Sequence, residues 1–434
     1  MSRLFNKIPY FDENVEISQY PDIPNNEFTR DEILSMLAKE MLDAAELLPA
    51  SQSEVGRIHK YIALAYAAKI KLYQAYQQDE TTHAVTSINK ELLREVVSLC
   101  DQVTASNRYG LLDDFQGLDL VANENGKESV FAIQYSMNDG TESAGHINWS
   151  NLLNSPGGGS PYGGDGFFLP SQDLINAYQT DANGLPDFNY QSKSDYSWAV
   201  LNNGGYTLQN TTPNVDPRLD FVVGRPTITW KTYPDKPCEG WVRDKETYGY
   251  NCAKRFWVSP ESSDMFNGWP WGASQLNWQI IRYADILLWK AEALIELNEG
   301  DGLETARDLI NQIRNRARNS AYVKDFNDHS NYAANYLVNP YPADVWNQDY
   351  ARQALRWETR LEKALEGERF FDLVRWGIVE TTMNKYIAAE SDNRIYYANA
   401  HFTGGKDEYY PVPNNQYGFS GGKYVQNPGY APFN

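Results

Sequence analysis

The residues best placed to do chemistry are aromatic side chains in turn-rich segments with polar neighbours. Trp149 stands beside Asn148 and Asn151, and Tyr162 near Asp165. Trp198 follows Asp195 and Tyr196, Trp230 precedes Lys231 and Tyr233, Trp241 precedes Arg243, and Trp269 lies two residues from Trp271. An indole or phenol offers an apolar face and a polar edge. Sugar rings match this combination: their CH faces stack on the aromatic plane while amides, carboxylates and guanidinium groups bond their hydroxyls. The chemistry is non-covalent capture, with modest affinity because desolvation and ordering absorb much of the gain. For each ring the alternative role is packing inside the subdomain.

Covalent and metal chemistry find weaker support. A glycoside hydrolase needs two carboxyls about 5–10 Å apart. Asp113/Asp114 and Glu292/Glu296 are acidic pairs, but none sits in a recognisable catalytic arrangement. The histidines at 59, 83, 146, 329 and 401 lack metal-ligand spacing, and no serine or cysteine nucleophile motif is present. The Gly157-Gly158-Gly159 and Gly163-Gly164 run lacks both phosphate-cradling patterns and reads as a surface loop. Asp181-Ala182-Asn183-Gly184 offers oxygens to a structural calcium or forms a plain turn; no other cofactor is expected. Cys100 reads as a small buried apolar residue. Cys238 and Cys252 flank a loop and either pair in an oxidising compartment or stay apart.

The 434 residues carry a formal charge of -19, and 42% are hydrophobic. That sign excludes the basic footprint of a nucleic-acid binder and any attraction to anionic lipid. With 30 Tyr, 17 Phe and 12 Trp, most rings must serve the core, so only those in loops are informative. No apolar run reaches the ~18 residues of a membrane span, and Met1–Tyr10 lacks a secretory pattern, reading like the middle of a domain.

The elements that must position these rings are helical. Thr29-Arg30-Asp31-Glu32 is a capping box with Phe28 and Ile33 as its staple. Leu34, Leu37, Met41, Ala45 and Leu48 form the stripe of the helix it starts, and Pro49 stops it. Further helices are predicted over 57–77 and 90–105, the first with Ala63, Ala65, Ala67 and Ala68 for close helix approach. From Arg108 to about Gln275 the chain becomes rich in Gly, Pro, Asn and Trp. There, 129–135 and 227–230 read as short strands. Helical periodicity returns from Ile280, with Ala284, Leu287, Leu288, Ala291 and Leu294 on one stripe, and continues over 303–318, 350–366 and 368–383. Trp289, Trp357 and Trp376 sit in these helices and are assigned to the core. Paired helices must stack to bury their faces. The predicted organisation is a first helical set (1–107), a loop-rich ligand-binding insertion (108–275), a second helical set (276–390) and an irregular tail (391–434).

The densest mixture of charge and apolar residues is Glu366-Gly367-Glu368-Arg369-Phe370-Phe371-Asp372-Leu373-Val374-Arg375-Trp376-Gly377. Charges among so many apolar residues persist only when paired, so a structural ion-pair network is expected here rather than catalysis. The stretch resembles the signature near the C-terminus of the SusD/RagB family of surface glycan-binding lipoproteins. Further segments resemble the same family in the same order: Asn6–Phe11, Gly56–Lys60, Phe167–Leu174, Asp216–Asp220, Ile281–Leu288, Asn311–Ala317, Tyr410–Pro413 and Gln426–Tyr430. The resemblance implies a mainly α fold, a tetratricopeptide-like superhelix carrying an irregular ligand-binding insertion. It implies a protein on the extracellular face of the outer membrane that captures oligo- or polysaccharide, without catalysis, and delivers it to a SusC-like TonB-dependent transporter barrel. It also ranks Trp230, Tyr233 and Trp198 first among the candidates, because the family's central site aromatics fall near them. Members begin with a lipoprotein signal, an acylated cysteine and a long leading segment. These do not precede Ile8-Pro9 here, which implies a shortened chain or a misplaced gene start, with no lipid anchor among these residues. The alternatives are a peptide-capturing member, a helical carbohydrate-active hydrolase, or a pure scaffold for the transporter.

Overall fold

The computed structural model describes residues 1–141, 145–202, 205–238 and 240–433. The first helix, α1 (Arg30–Leu47), begins at the reciprocal bonds of its capping box: Glu32 N donates to Thr29 Oγ1 at 3.2 Å and Thr29 N to Glu32 Oε2 at 2.8 Å. Next, α2 (Lys60–Ala75) starts three residues later than the pattern predicts. Its preceding residue His59 is extended. Asn89 caps α3 (Lys90–Ala105) by accepting from the amides of Glu91 and Leu92. Ala63, Ala65, Ala67 and Ala68 are all buried, so neighbouring helices approach α2 closely.

The second set is α4 (Tyr283–Leu297), α5 (Gly302–Asn319), α6 (Gln348–Glu362), α7 (Arg369–Arg375) and α8 (Val379–Glu390). Helix α3 packs directly on α4 although the whole insertion separates them in sequence, so both sets form one stacked scaffold. The single helix expected over 368–383 is two. Gly377 adopts φ 66°, a left-handed conformation that ends α7 before α8 begins. No helix among the described residues is long and apolar enough to cross a membrane.

Strands are short. The β1 (Tyr76–Gln78) and β2 (Val85–Ile88) pair follows α2, and the β4 (Trp198–Asn202) and β5 (Gly205–Gln209) hairpin lies in the insertion. Between them in sequence, β3 (Ser129–Ile133) pairs antiparallel with β6 (Trp278–Arg282). Ile280–Arg282, expected to open a helix, is therefore strand. The backbone groups of β3 need partners, and Ile281 gains a buried position there. Thr227–Trp230, expected as strand, is a turn: Thr227 adopts φ 68°, Tyr233 N donates to Trp230 O, and the Lys254 ammonium donates to Thr229 O.

Insertion and scaffold meet at a buried ion network. Arg282 donates to Glu128 at 2.7 Å, Glu362 at 3.0 Å and Glu366 at 2.7 Å. Arg316 bridges Glu128 and Glu362. Arg218 joins Asp216, Glu358 and Glu362, and Arg314 also bonds Glu358. Lys363 neutralises Asp285 and Glu366. Beside α7, Arg375 holds Glu292 and Asp372, while the Tyr76 hydroxyl and the Trp376 indole also donate to Glu292. Glu366, Glu368, Asp372 and Arg375 of the Glu366–Gly377 stretch are thus paired, whereas Arg369 makes no ion pair among the described residues. Burial alone would raise the Glu362 carboxyl, but Arg316, Arg282 and Arg218 hold it down at about 2. Glu368 reaches about 2 likewise, against burial, through Lys69 and Arg3.

These two carboxyls set an acid limit. An unfolded glutamate takes up its proton near pH about 4.3, whereas folded Glu362 and Glu368 resist until about 2. Their stabilisation is present above the unfolded value and is lost as pH falls through the folded one. Denaturant midpoints should therefore drop steeply between about pH 4.5 and 2. Burial raises Glu124 and Glu390 to about 7, so both stay protonated in the fold throughout that window; they oppose the drop only at its upper end, where the unfolded carboxyls take up their protons. A midpoint flat across the window would contradict the assignment.

Candidate functional site

Three tryptophans of the insertion gather at the surface. Trp149, Trp269 and Trp271 are 42%, 60% and 49% exposed. The Trp149 and Trp269 rings meet edge to face, with centroids 5.0 Å apart and planes at 74°. Trp149 is anchored by its neighbours. Buried Asn148 donates its backbone N–H to Ser274 O at 2.9 Å, and Asn151 donates to Phe256 O at 3.1 Å. The Trp269–Trp271 loop is tied by a bridge between Met265 and Ser274, and Ser155 donates to Trp271 O. The Trp271 ring lies over Gly163, where an added Cβ would touch it at 3.8 Å. Alongside, Arg243 pairs with Asp165 at 2.6 Å and also bonds Gly164 O. The glycine run lets two loops meet: a Cβ on Gly159 would stand 2.6 Å from Gly240 O.

A groove of about 680 Å³ opens beside Trp149, lined by Val55, Gln134, Tyr135, Ser136, His146 and Ser150 among others. His146 Nδ1 lies 2.6 Å from Asp139, whose carboxyl Ser136, Thr141 and His146 hold well below the usual range. An indole wall facing amide, hydroxyl and imidazole groups can stack a ring and bond its edge.

The other candidates lie elsewhere. Trp230 is fully buried, donating Nε1–H to Tyr162 Oη at 2.9 Å, and Tyr162 donates to Val258 O at 2.7 Å. Trp241 packs on Trp230 at 5.0 Å between centroids. Tyr196 is buried beneath the Arg225 guanidinium. The expectation of solvent-facing rings is corrected for Trp230, Tyr162, Trp241 and Tyr196: together they pack the subdomain, and none presents a face. Tyr233 is half-buried against the same cluster. Trp198, 44% exposed, stands on the β4–β5 hairpin opposite Gln209 and takes no part in the Trp149–Trp269 pair. Sequence reasoning missed exposed Phe167 and Leu153, joined by a backbone bond; Leu153 is not aromatic, and Phe167 has no polar edge. It also missed Gln134, Ser136 and His146, whose role depends on folding.

A model of the SusD family matches residues 127–430. The chain belongs to the SusD family. No curated protein matches it. Solved structures share the fold at low identity. A SusD superfamily protein from Bacteroides vulgatus is 20% identical with TM-score 0.66, over 99% of this chain and 74% of that one. A SusD-like carbohydrate binding protein from Bacteroides fragilis is 19% identical with TM-score 0.65, over 96% and 75%. Surface glycan-binding protein A from Bacteroides thetaiotaomicron, solved with laminarihexaose, is 17% identical with TM-score 0.55, over 98% and 74%.

The SusD match spans the buried ion network of α6 and α7 as well as Trp149, Trp269 and Trp271. The acidic pairs considered for hydrolysis are engaged structurally in this SusD-family chain. Asp113 pairs with Lys127, and Asp114 accepts from the amides of Gln116 and Ala321. Glu292 pairs with Arg375, and Glu296 with Arg352. Asp181 turns Oδ1 to the amides of Asn183 and Leu185, forming a turn. Among the described residues no cluster of His, Cys, Asp or Glu is gathered to hold a metal. No disulfide joins Cys252, buried with Sγ toward Gly224 O, to exposed Cys238.

Proposed function

We propose that this SusD-family protein captures oligo- or polysaccharide at the cell surface on the Trp149–Trp269–Trp271 face and delivers it, uncleaved, to a SusC-like TonB-dependent transporter in the outer membrane. One observation carries the reading: the exposed indole of Trp149, met edge to face by exposed Trp269, borders a groove that also presents Gln134, Ser136, His146 and Ser150. The laminarihexaose complex of the Bacteroides thetaiotaomicron protein supports the same ligand class. Trp198 and Tyr233 remain secondary contributors on separate surfaces.

The test combines affinity electrophoresis over a polysaccharide panel with an assay for new reducing ends. Retardation without reducing ends is expected; cleavage would overturn capture. Trp269→Ala should weaken the retained glycan about tenfold, the loss of one stacking anchor, with the thermal midpoint unchanged because the ring is exposed. Unaltered affinity would remove Trp269 from the site. Delivery is checked by co-purification with a SusC-like barrel from the same organism.

A further inference from the structure

A second cavity, of about 510 Å³, lies between the loop that precedes α2 and the start of the insertion. The two openings adjoin, with Val55 and Gln134 lining both this cavity and the groove beside Trp149. The loop is pressed against Gln134: Gly56 adopts φ 82°, and a Cβ there would stand 2.6 Å from Gln134 Cγ. In a chain of net charge -19 the lining is basic. It contributes Arg57, Arg108 and Lys127 against the single carboxylate of Glu54. Glu54 pairs with Arg57, and Lys127 pairs with Asp113 at the rim. Arg108 makes no ion pair among the described residues, and its charge acts on the neighbouring Tyr109 hydroxyl, working against the rise that burial gives it. That hydroxyl lies 3.2 Å from His59 Nε2. His59 is 8% exposed, and its Nδ1 meets no hydrogen-bond partner.

Arg108 is the one arginine or lysine of the lining without an ion pair among the described residues and faces solvent, whereas His59 Nδ1 is a buried ring nitrogen without a partner; an anion entering the cavity gives the first a counter-charge and the second an acceptor. Burial and the nearby Arg108 lower His59, keeping the ring neutral. With Nε2 accepting from Tyr109, Nδ1 then carries the proton and donates. A neutral hydroxyl would leave the Arg108 charge unanswered.

We propose that this cavity is a subsite for an acidic substituent, a carboxylate or sulfate, on a saccharide whose neighbouring ring stacks at Trp149. Arg108 supplies the charge, while His59 and Tyr109 supply directed hydrogen bonds. The proposal rests on the glycan-capture reading and narrows its ligand to anionic glycans.

The test measures binding of three probes to the whole chain by calorimetry: laminarihexaose as the neutral probe, trigalacturonate for a carboxylate, and a kappa-carrageenan oligosaccharide for a sulfate. An acidic probe should bind more tightly than the neutral one and weaken as salt is raised. Arg108→Gln should lower that affinity about tenfold and flatten the salt dependence, with neutral binding and the melting temperature unchanged, since Arg108 is exposed. Tyr109→Phe should lower acidic-probe affinity while keeping its salt dependence. Preference between the two acidic probes identifies the substituent. Neutral binding with no tighter acidic binding, or an Arg108→Gln protein equal to wild type, overturns the subsite and leaves capture standing. Binding of none of the three also overturns the subsite, while capture itself falls only if no polysaccharide of the panel is retained.

Discussion

Glu362→Ala should cost about 3–5 kcal/mol of stability, the penalty for removing one partner of a buried ion pair. Glu362 is fully buried and accepts from Arg282, Arg316 and Arg218. Its loss leaves three guanidinium groups sharing Glu128, Glu358, Glu366 and Asp216 in a buried site. The number of protein–carboxylate bonds falls while the number of buried positive charges stays the same. Chemical denaturation of the variant, followed by far-UV circular dichroism, measures the shift. Lys39→Ala is the control: the Lys39–Asp43 pair is exposed on α1, and its loss should leave the midpoint in place. A Glu362→Ala midpoint equal to that of Lys39→Ala would show that the network is idle.

Trp230→Ala should cost a comparable amount, about 3–5 kcal/mol. The indole is the hub of the insertion's core. Its edge packs on Trp241 and on Tyr162, its Nε1–H reaches the Tyr162 hydroxyl, and its ring fills the space beside Gly224, where even a Cβ would approach within 2.2 Å. Alanine leaves a cavity that these neighbours cannot all close. The thermal midpoint and the near-ultraviolet dichroism should fall together. Any loss of glycan binding should then follow the unfolded fraction, unlike Trp269→Ala, whose binding should fall with the fold intact. A Trp230→Ala protein with native stability and weakened binding would return Trp230 to the ligand site.

Local signals were read most faithfully from sequence. The Thr29 capping box and the Lys90–Ala105 helix depend on contacts within one turn, and both form as expected. Features needing a distant partner were harder. The strand at Ile280–Arg282 exists because β3 lies opposite, a pairing across nearly 150 residues that no window contains. The site shows the same limit. Trp230 and Trp269 are both aromatic and both in irregular, turn-rich segments, yet one is buried and the other exposed. Only the three-dimensional arrangement separates core rings from surface rings. His59 is an extreme case, since a lone histidine at a helix start carries no signal until Arg108 and Tyr109 fold next to it.

The ion network has an evolutionary corollary. Glu128, Asp216 and Arg218 come from the insertion, whereas Arg314, Glu358 and Glu362 come from the helices. Each half is charge-incomplete alone, so the insertion cannot be transplanted between relatives as an independent cassette without carrying its matching helices. The loops bearing Trp149, Trp269 and Arg108 hold none of those charges. Those loops can therefore be exchanged without breaking an ion pair of the network, so the proposed capture face is separable from the interface beneath it.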